Sequence, residues 1–197
     1  MEVSDAYRYT ARMEQVAFRV LREVVELCQR EHTRYWVVGG FAVDAKIGHL
    51  TRTHGDVDVC IHEQDLQVFL KACFGQGFRV TQQGLKYVLY TSECKVDVFE
   101  LFDRGEFYER EREWFHARYP KEIFDHVQVL PLNGLQLRIP SNEALRYYVV
   151  KTIHPDDRAF VDQLPFNAEL YAKIQYVEFA DYHASTQDVP VKEIHFS

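Results

Sequence analysis

Asp56 and Asp58 stand two residues apart in an apolar stretch, Asp56-Val57-Asp58-Val59-Cys60-Ile61. Side chains alternate faces along a strand, so both carboxylates point the same way, roughly 7 Å apart at their Cα atoms. Val57, Val59 and Ile61 point the other way, into a core. Carboxylates side by side repel, and burying them unpaired is costly. A divalent cation between them removes the conflict. Hard oxygen ligands suit magnesium, which also takes oxygens from substrate phosphates. Upstream, the apolar run Tyr35-Trp36-Val37-Val38 meets Gly39 and Gly40. A Gly-Gly step between strand and helix lets a backbone approach a ligand closely. Free N–H groups at the helix start suit a phosphate. Arg52 and His54 lie between glycines and aspartates and can meet negative charge. Together these residues describe a site for a metal-bound nucleoside triphosphate.

The elements around this stretch follow from periodicity. Apolar residues between about 12 and 32 recur at helical spacing. A short helix is expected from Phe41 to Ile47, and another from Glu63 to Phe74 with Leu66, Phe69, Leu70 and Cys73 on one face. Phe78–Val80, Tyr87–Tyr90 and Cys94–Leu101 read as strands. On the last, Asp97 and Phe99 share one face, and Val96 and Val98 share the other. Glu100 is a competing acid on the face opposite Asp97. Residues 103–118 interleave charges with aromatics and read as a solvated loop or helix, with a mobile cover over an acceptor site as the alternative. Val127–Ile139 reads as a hairpin turning at Asn133-Gly134. Ser141 is placed to cap a helix from Asn142 to Ile153. A last helix is expected from Asn167 to Tyr182. The tail after Ser185 alternates loosely and reads as either a strand or a loose end.

The stretch Gly39-Gly40-Phe41-Ala42-Val43-Asp44, then Gly48, then Thr51-Arg52-x-His54-x-Asp56-x-Asp58 resembles the signature of the lincosamide and aminoglycoside nucleotidyltransferases. These belong to the DNA polymerase β-like nucleotidyltransferase superfamily. Phe41 replaces a common tryptophan and Val57 a common isoleucine; the spacing matches without a gap. The resemblance implies an α+β fold, with a mixed twisted sheet flanked by helices and further helices at the C-terminus. It implies a third acid on a later strand, matched at Val96-Asp97-Val98, that completes the metal site or acts as general base. It implies a lysine on a C-terminal helix, matched by Lys151, followed by a segment that Pro155, Asp157 and Asp162 fit. The basic residue before Asp157 is missing. Lys151 reaches the triphosphate or is a plain surface lysine. His54 contacts the nucleotide or is a core histidine buttressing the aspartate strand. Arg158 pairs with Asp162 one helical turn on.

The resemblance implies transfer of a nucleoside monophosphate from a nucleoside triphosphate to a hydroxyl. Gly39, Gly40, Arg52, His54 and Lys151 would bind the nucleotide. Asp56, Asp58 and Asp97 would hold one or two magnesium ions, with Asp97 taking the proton. The implied acceptor is a small molecule such as an aminoglycoside or lincosamide antibiotic, which would make the protein a resistance enzyme. Transfer RNA or protein is the alternative acceptor, as in toxin-like relatives, and a catalytically silent nucleotide-binding protein is the alternative outside the enzymes.

Composition sets the outer bounds. The 197 residues suffice for a core of residues 1–140 followed by a packed C-terminal helical segment of residues 141–197, or for a single domain. A net charge of −7 argues against broad nonspecific binding to nucleic acid. The four cysteines are widely spaced, without CxxC, and read as reduced buried thiols of a cytoplasmic protein. No apolar run is long enough to span a bilayer, and no secretory signal opens the chain. A monomer and a homodimer are both compatible with the sequence.

Overall fold

The structure is a computed structural model, and it describes residues 3–111, 115–151, 155–178 and 191–196. The chain begins with helix α1 (Val3–Arg30), then strand β1 (Tyr35–Val38), helix α2 (Gly39–Ile47) and β2 (Asp56–His62). Next come α3 (Glu63–Gly75), β3 (Arg79–Gln83), β4 (Lys86–Tyr90) and β5 (Lys95–Asp103). A hairpin of β6 (Phe107–Glu111) and β7 (Phe115–Pro120) leads to the short α4 (Glu122–Asp125) and a second hairpin, β8 (Gln128–Leu132) and β9 (Leu135–Ile139). The chain continues through α5 (Asn142–Lys151), α6 (Pro155–Val161), α7 (Ala168–Ala172), β10 (Gln175–Glu178) and β11 (Val191–Ile194).

Nine of these strands form one sheet. Its path runs β10, β7, β6, β5, β4, β3, β11, with β2 added on β5 and β1 on β2. The β2–β5 pair is parallel, and every other described pair is antiparallel. A parallel pair needs a crossover connection; here α3, β3 and β4 supply it.

Strand alternation divides the core between the two faces of the sheet. Val57, Val59, Ile61, Val96 and Val98 face a layer of α1, α3 and the β8–β9 hairpin. Cys60, Phe99 and Leu101 face the other way, with Trp36, Tyr108, Tyr119 and Phe124. The indole N–H of Trp36 donates to the Phe124 carbonyl at 2.7 Å, which satisfies its one polar atom in this apolar layer. In the β8–β9 hairpin both turn residues have positive φ, +45° at Asn133 and +79° at Gly134, as the sequence signal requires.

Two stretches depart from expectation. Residues 103–118 are neither a solvated loop nor a helix: β6 and β7 pair there and extend the sheet. Tyr108, Arg110, Ala117 and Tyr119 turn inward and are buried. The alternation was present, but its inward positions include an arginine, and a charged residue hides a strand pattern. The helix expected over Asn167–Tyr182 lasts only through Ala172. Asn167 caps it by accepting from the N–H groups of Glu169 and Leu170. β10 then pairs with β7. β11 pairs with β3, which realises the strand alternative for the tail. The segment after residue 140 is therefore not purely helical: it adds two strands to the sheet. Residues 179–190 lie outside the described residues.

Candidate active site

The parallel register between β2 and β5 sets Asp56 beside Lys95 and Asp58 beside Asp97. Residues paired in register share a face, so the three acids stand together at the start of the two strands. Asp97 is buried at 7 % exposure. Its Oδ2 accepts from Lys86 Nζ at 2.5 Å and lies 3.4 Å from Lys95 Nζ. Its Oδ1 is buried with no hydrogen-bond partner. Lys95 also reaches Asp56 Oδ2, at 3.1 Å. Glu100 lies on the opposite face, near Glu63 and Tyr87, as its place in the alternation requires.

Burial, then the charges of Asp56 and Asp97, push the Asp58 carboxyl up from 3.8 to about 7; Arg110 and Lys86 oppose the rise. Burial lowers the Lys95 ammonium, but Asp97 and Asp56 outweigh it and hold the group above its usual range.

Gly39 begins α2 with a φ of +66°. A Cβ there would stand 2.3 Å from Asp58 Oδ2, so only glycine admits this carboxylate. At Gly40 a Cβ would stand 2.5 Å from both Arg52 Nη2 and His54 Cε1. No side chain caps the start of α2, which leaves its first N–H groups for a ligand.

Arg52 and His54 are held by different acids. Arg52 donates through Nη2 to Asp157 Oδ2 at 2.8 Å and through Nε to Asp157 Oδ1 at 3.3 Å, a two-point contact tying the loop to α6. His54, 3 % exposed, donates from Nε2 to Asp44 Oδ2 at 2.5 Å and stacks on Phe41 with ring centroids 4.1 Å apart. Thr51 donates its hydroxyl and its N–H to Asp44 Oδ1. His54 is thus tied to α2, through Asp44 and Phe41, rather than to the aspartate strand. Lys151 is the last residue of α5, and its side chain lies outside the described residues.

Three features of this set fit a divalent cation. The donors are hard carboxylate oxygens on one face, Asp97 Oδ1 lacks a partner, and the Asp58 carboxylate is disfavoured by burial and then by its acidic neighbours. As the side chains stand, no three His, Cys, Asp or Glu among the described residues close into a metal cage. Lys86 and Lys95 sit against the carboxylate oxygens instead.

A family model described as aminoglycoside-2''-adenylyltransferase matches residues 20–148, a span that holds the glycines, all three acids and both lysines. The chain belongs to this family. It is a nucleotidyltransferase. The fold is similar to that of ANT(2'')-Ia in complex with adenylyl-2''-tobramycin, at 17 % identity over 73 % of this chain and 86 % of that one, with a TM-score of 0.59. It is similar to the lincosamide antibiotic adenylyltransferase LnuA with lincomycin bound, at 15 % identity over 73 % and 94 %, with a TM-score of 0.58. A putative nucleotidyltransferase from Thermotoga maritima aligns at 15 % identity over 71 % and 86 %, with a TM-score of 0.51. No curated protein matches. At such identities the likeness is one of fold, and the α+β nucleotidyltransferase architecture expected from the sequence is the one found.

In this adenylyltransferase family member the structure also brings forward residues that sequence reasoning passed over. Lys95 precedes Asp97 by two and Lys86 precedes Val88, the register partner of Asp97, by two. Strand alternation by itself places Lys95 on the face of Asp97, whereas Lys86 joins that face only through the β4–β5 register. Arg110 lies over the Phe99 ring, 3.9 Å from its centroid, and its charge reaches Asp58. No local signal marks it, because its inward charge masks the alternation of β6.

Proposed function

We propose that the protein transfers a nucleoside monophosphate from a nucleoside triphosphate to a hydroxyl of a small-molecule acceptor of the aminoglycoside or lincosamide class, with magnesium. The observation that carries this is the register of β2 on β5, which sets Asp58 beside Asp97 and leaves Asp97 Oδ1 without a partner. Family membership supports the acceptor class, and the bound molecules named for two neighbours of similar fold agree with it.

Asp56, Asp58 and Asp97 would hold the magnesium, which when bound neutralises charge on the phosphates and on the departing pyrophosphate. The chain's own groups do the rest. The N–H groups at Gly39 and Gly40 approach the terminal phosphates. Arg52 adds positive charge beside them, steadied by Asp157. Lys151 is assigned to the same phosphates on the strength of the motif. His54 orients the loop from within, rather than touching the nucleotide. Asp97 Oδ1 takes the proton of the acceptor hydroxyl. The acceptor oxygen then bonds to the α-phosphorus as the bond to the bridging oxygen of pyrophosphate breaks. Positioning and electrostatics supply most of the acceleration.

The test is label transfer from each α-labelled nucleoside triphosphate, with magnesium, to a panel of aminoglycosides and lincosamides. Transfer RNA and a protein extract run beside the panel. Transfer to one antibiotic class, lost in Asp56→Ala and Asp58→Ala, is the expected result. Label on RNA or protein moves the acceptor assignment. Full activity in either variant removes the site assignment.

A further inference from the structure

Lys95 stands where two of the three carboxylates converge. Strand register fixes it there, since it is the direct partner of Asp56 across the β2–β5 ladder and lies two residues before Asp97 on the same face. Its ammonium is 3.1 Å from Asp56 Oδ2 and 3.4 Å from Asp97 Oδ2. Lys86 approaches the same Asp97 oxygen from the other neighbouring strand, at 2.5 Å. The two lysines are not equivalent. Lys86 is the closer and the better covered, with a side chain 25 % exposed. Lys95 is longer in both contacts and 41 % exposed, on a flexible four-carbon stem.

A divalent cation bridging Asp56 and Asp97 would stand in the gap between the two carboxylates, where the Lys95 ammonium lies. Two cations cannot both occupy that gap without strong repulsion. We propose that Lys95 is a built-in counter-ion that competes with the divalent cation for Asp56 and Asp97, and that metal entry requires it to swing out toward solvent. Lys86 bears on Asp97 Oδ2 from β4, and Asp97 Oδ1, which has no hydrogen-bond partner, stays open to the metal. This inference rests on the assignment of Asp56, Asp58 and Asp97 to the metal. Its consequence is a reciprocal coupling. Whatever holds Lys95 on the acids weakens the metal, and the metal releases Lys95 by the same factor.

Binding of Mn2+ alone, followed by the paramagnetic resonance of the free ion, tests this on the full chain, with melting by circular dichroism as the check on folding. Lys95→Met and Lys95→Gln are expected to bind Mn2+ at least about fivefold tighter than the wild type. Lys95→Arg, which keeps the charge, is expected to bind no tighter. Lys86→Met removes an equal charge from the same carboxylate and is expected to change affinity less than about twofold. Metal-free Lys95→Met is expected to melt below the wild type, and saturating Mn2+ is expected to restore it. Equal affinities in Lys95→Met and the wild type overturn the inference while leaving the metal site in place. Equal tightening in Lys86→Met and Lys95→Met also overturns it, because the effect is then one of general charge. No Mn2+ binding by either the wild type or Lys95→Met, with or without a nucleoside triphosphate, overturns the metal assignment and the inference together.

Discussion

At the scale of residues, the site depends on atoms that are missing as much as on those present. Gly39 has no Cβ where one would strike Asp58, and its φ is positive. Gly39→Ala should therefore displace the carboxylate and lower transfer by at least about 100-fold, the cost of misplacing a reacting group by an ångström. Its melting temperature should fall only modestly, by the strain of one unfavourable backbone position, about 1–2 kcal/mol. Steady-state assays beside melting curves would separate the two effects. Asp58 gives a second prediction. Its pKa is raised on folding, so the native state binds its proton more tightly than the unfolded chain does. Metal-free protein should lose stability as pH rises from about 4 toward about 7, and the loss should then level off. In a chelator, Asp58→Asn should flatten that slope and melt above the wild type at pH 8, with little difference at pH 4. Melting curves across pH would check it. An unchanged slope in Asp58→Asn would show that other groups carry the dependence.

At the scale of elements, two buried acids do structural work that leaves the chemical residues free. Asp44 on α2, itself fully buried, takes one donor from buried His54 and two from the exposed Thr51. Asp44→Ala would leave the buried His54 donor without its partner and should cost about 3 kcal/mol, read from denaturant unfolding. Asp157 on α6 ties down Arg52. Arg52 keeps about a quarter of its side chain exposed, so solvent discounts the pair. Asp157→Ala should cost about 1–2 kcal/mol of stability, yet raise the KM for the nucleotide roughly tenfold as the guanidinium loses its aim. These elements also show how far the sequence carries. The glycines, Asp56, Asp58 and Asp97 were legible because strand alternation and one compact motif fix them within two dozen residues and one further strand. Asp157 was seen as part of a pattern, but not as the partner of Arg52, because the contact spans 105 positions. Arg110 was illegible for another reason. Its burial is stabilised by the Phe99 ring, and an inward cation erases the polar–apolar rhythm by which a strand is recognised.

At the scale of the whole molecule, the chain closes on itself through its last strands. β11 covers the edge of β3, and Phe196 packs on Phe74 with ring centroids 5.7 Å apart. Neither touches the acids. Removing residues 191–197 should lower the melting temperature by a few degrees and leave the rate of nucleotidyl transfer within about twofold, because an edge strand contributes packing rather than position. Loss of transfer at a temperature where the shortened protein remains folded would give the C-terminal strand a part in catalysis. Among the described residues no helix is long and apolar enough to cross a membrane.

The strand β5 runs through both layers of the core. Val96 and Val98 enter one, Phe99 and Leu101 enter the other, and Asp97 stands among them. A side-chain repeat of two leaves no intermediate setting. Deleting or inserting one residue between 95 and 99 would turn the carboxylate into the valine layer and a valine out toward the nucleotide. In a library of such indels, this strand should be among the least forgiving segments of the chain. Drift among homologues is expected to proceed there by substitution alone, while changes of length collect in the loops beyond it.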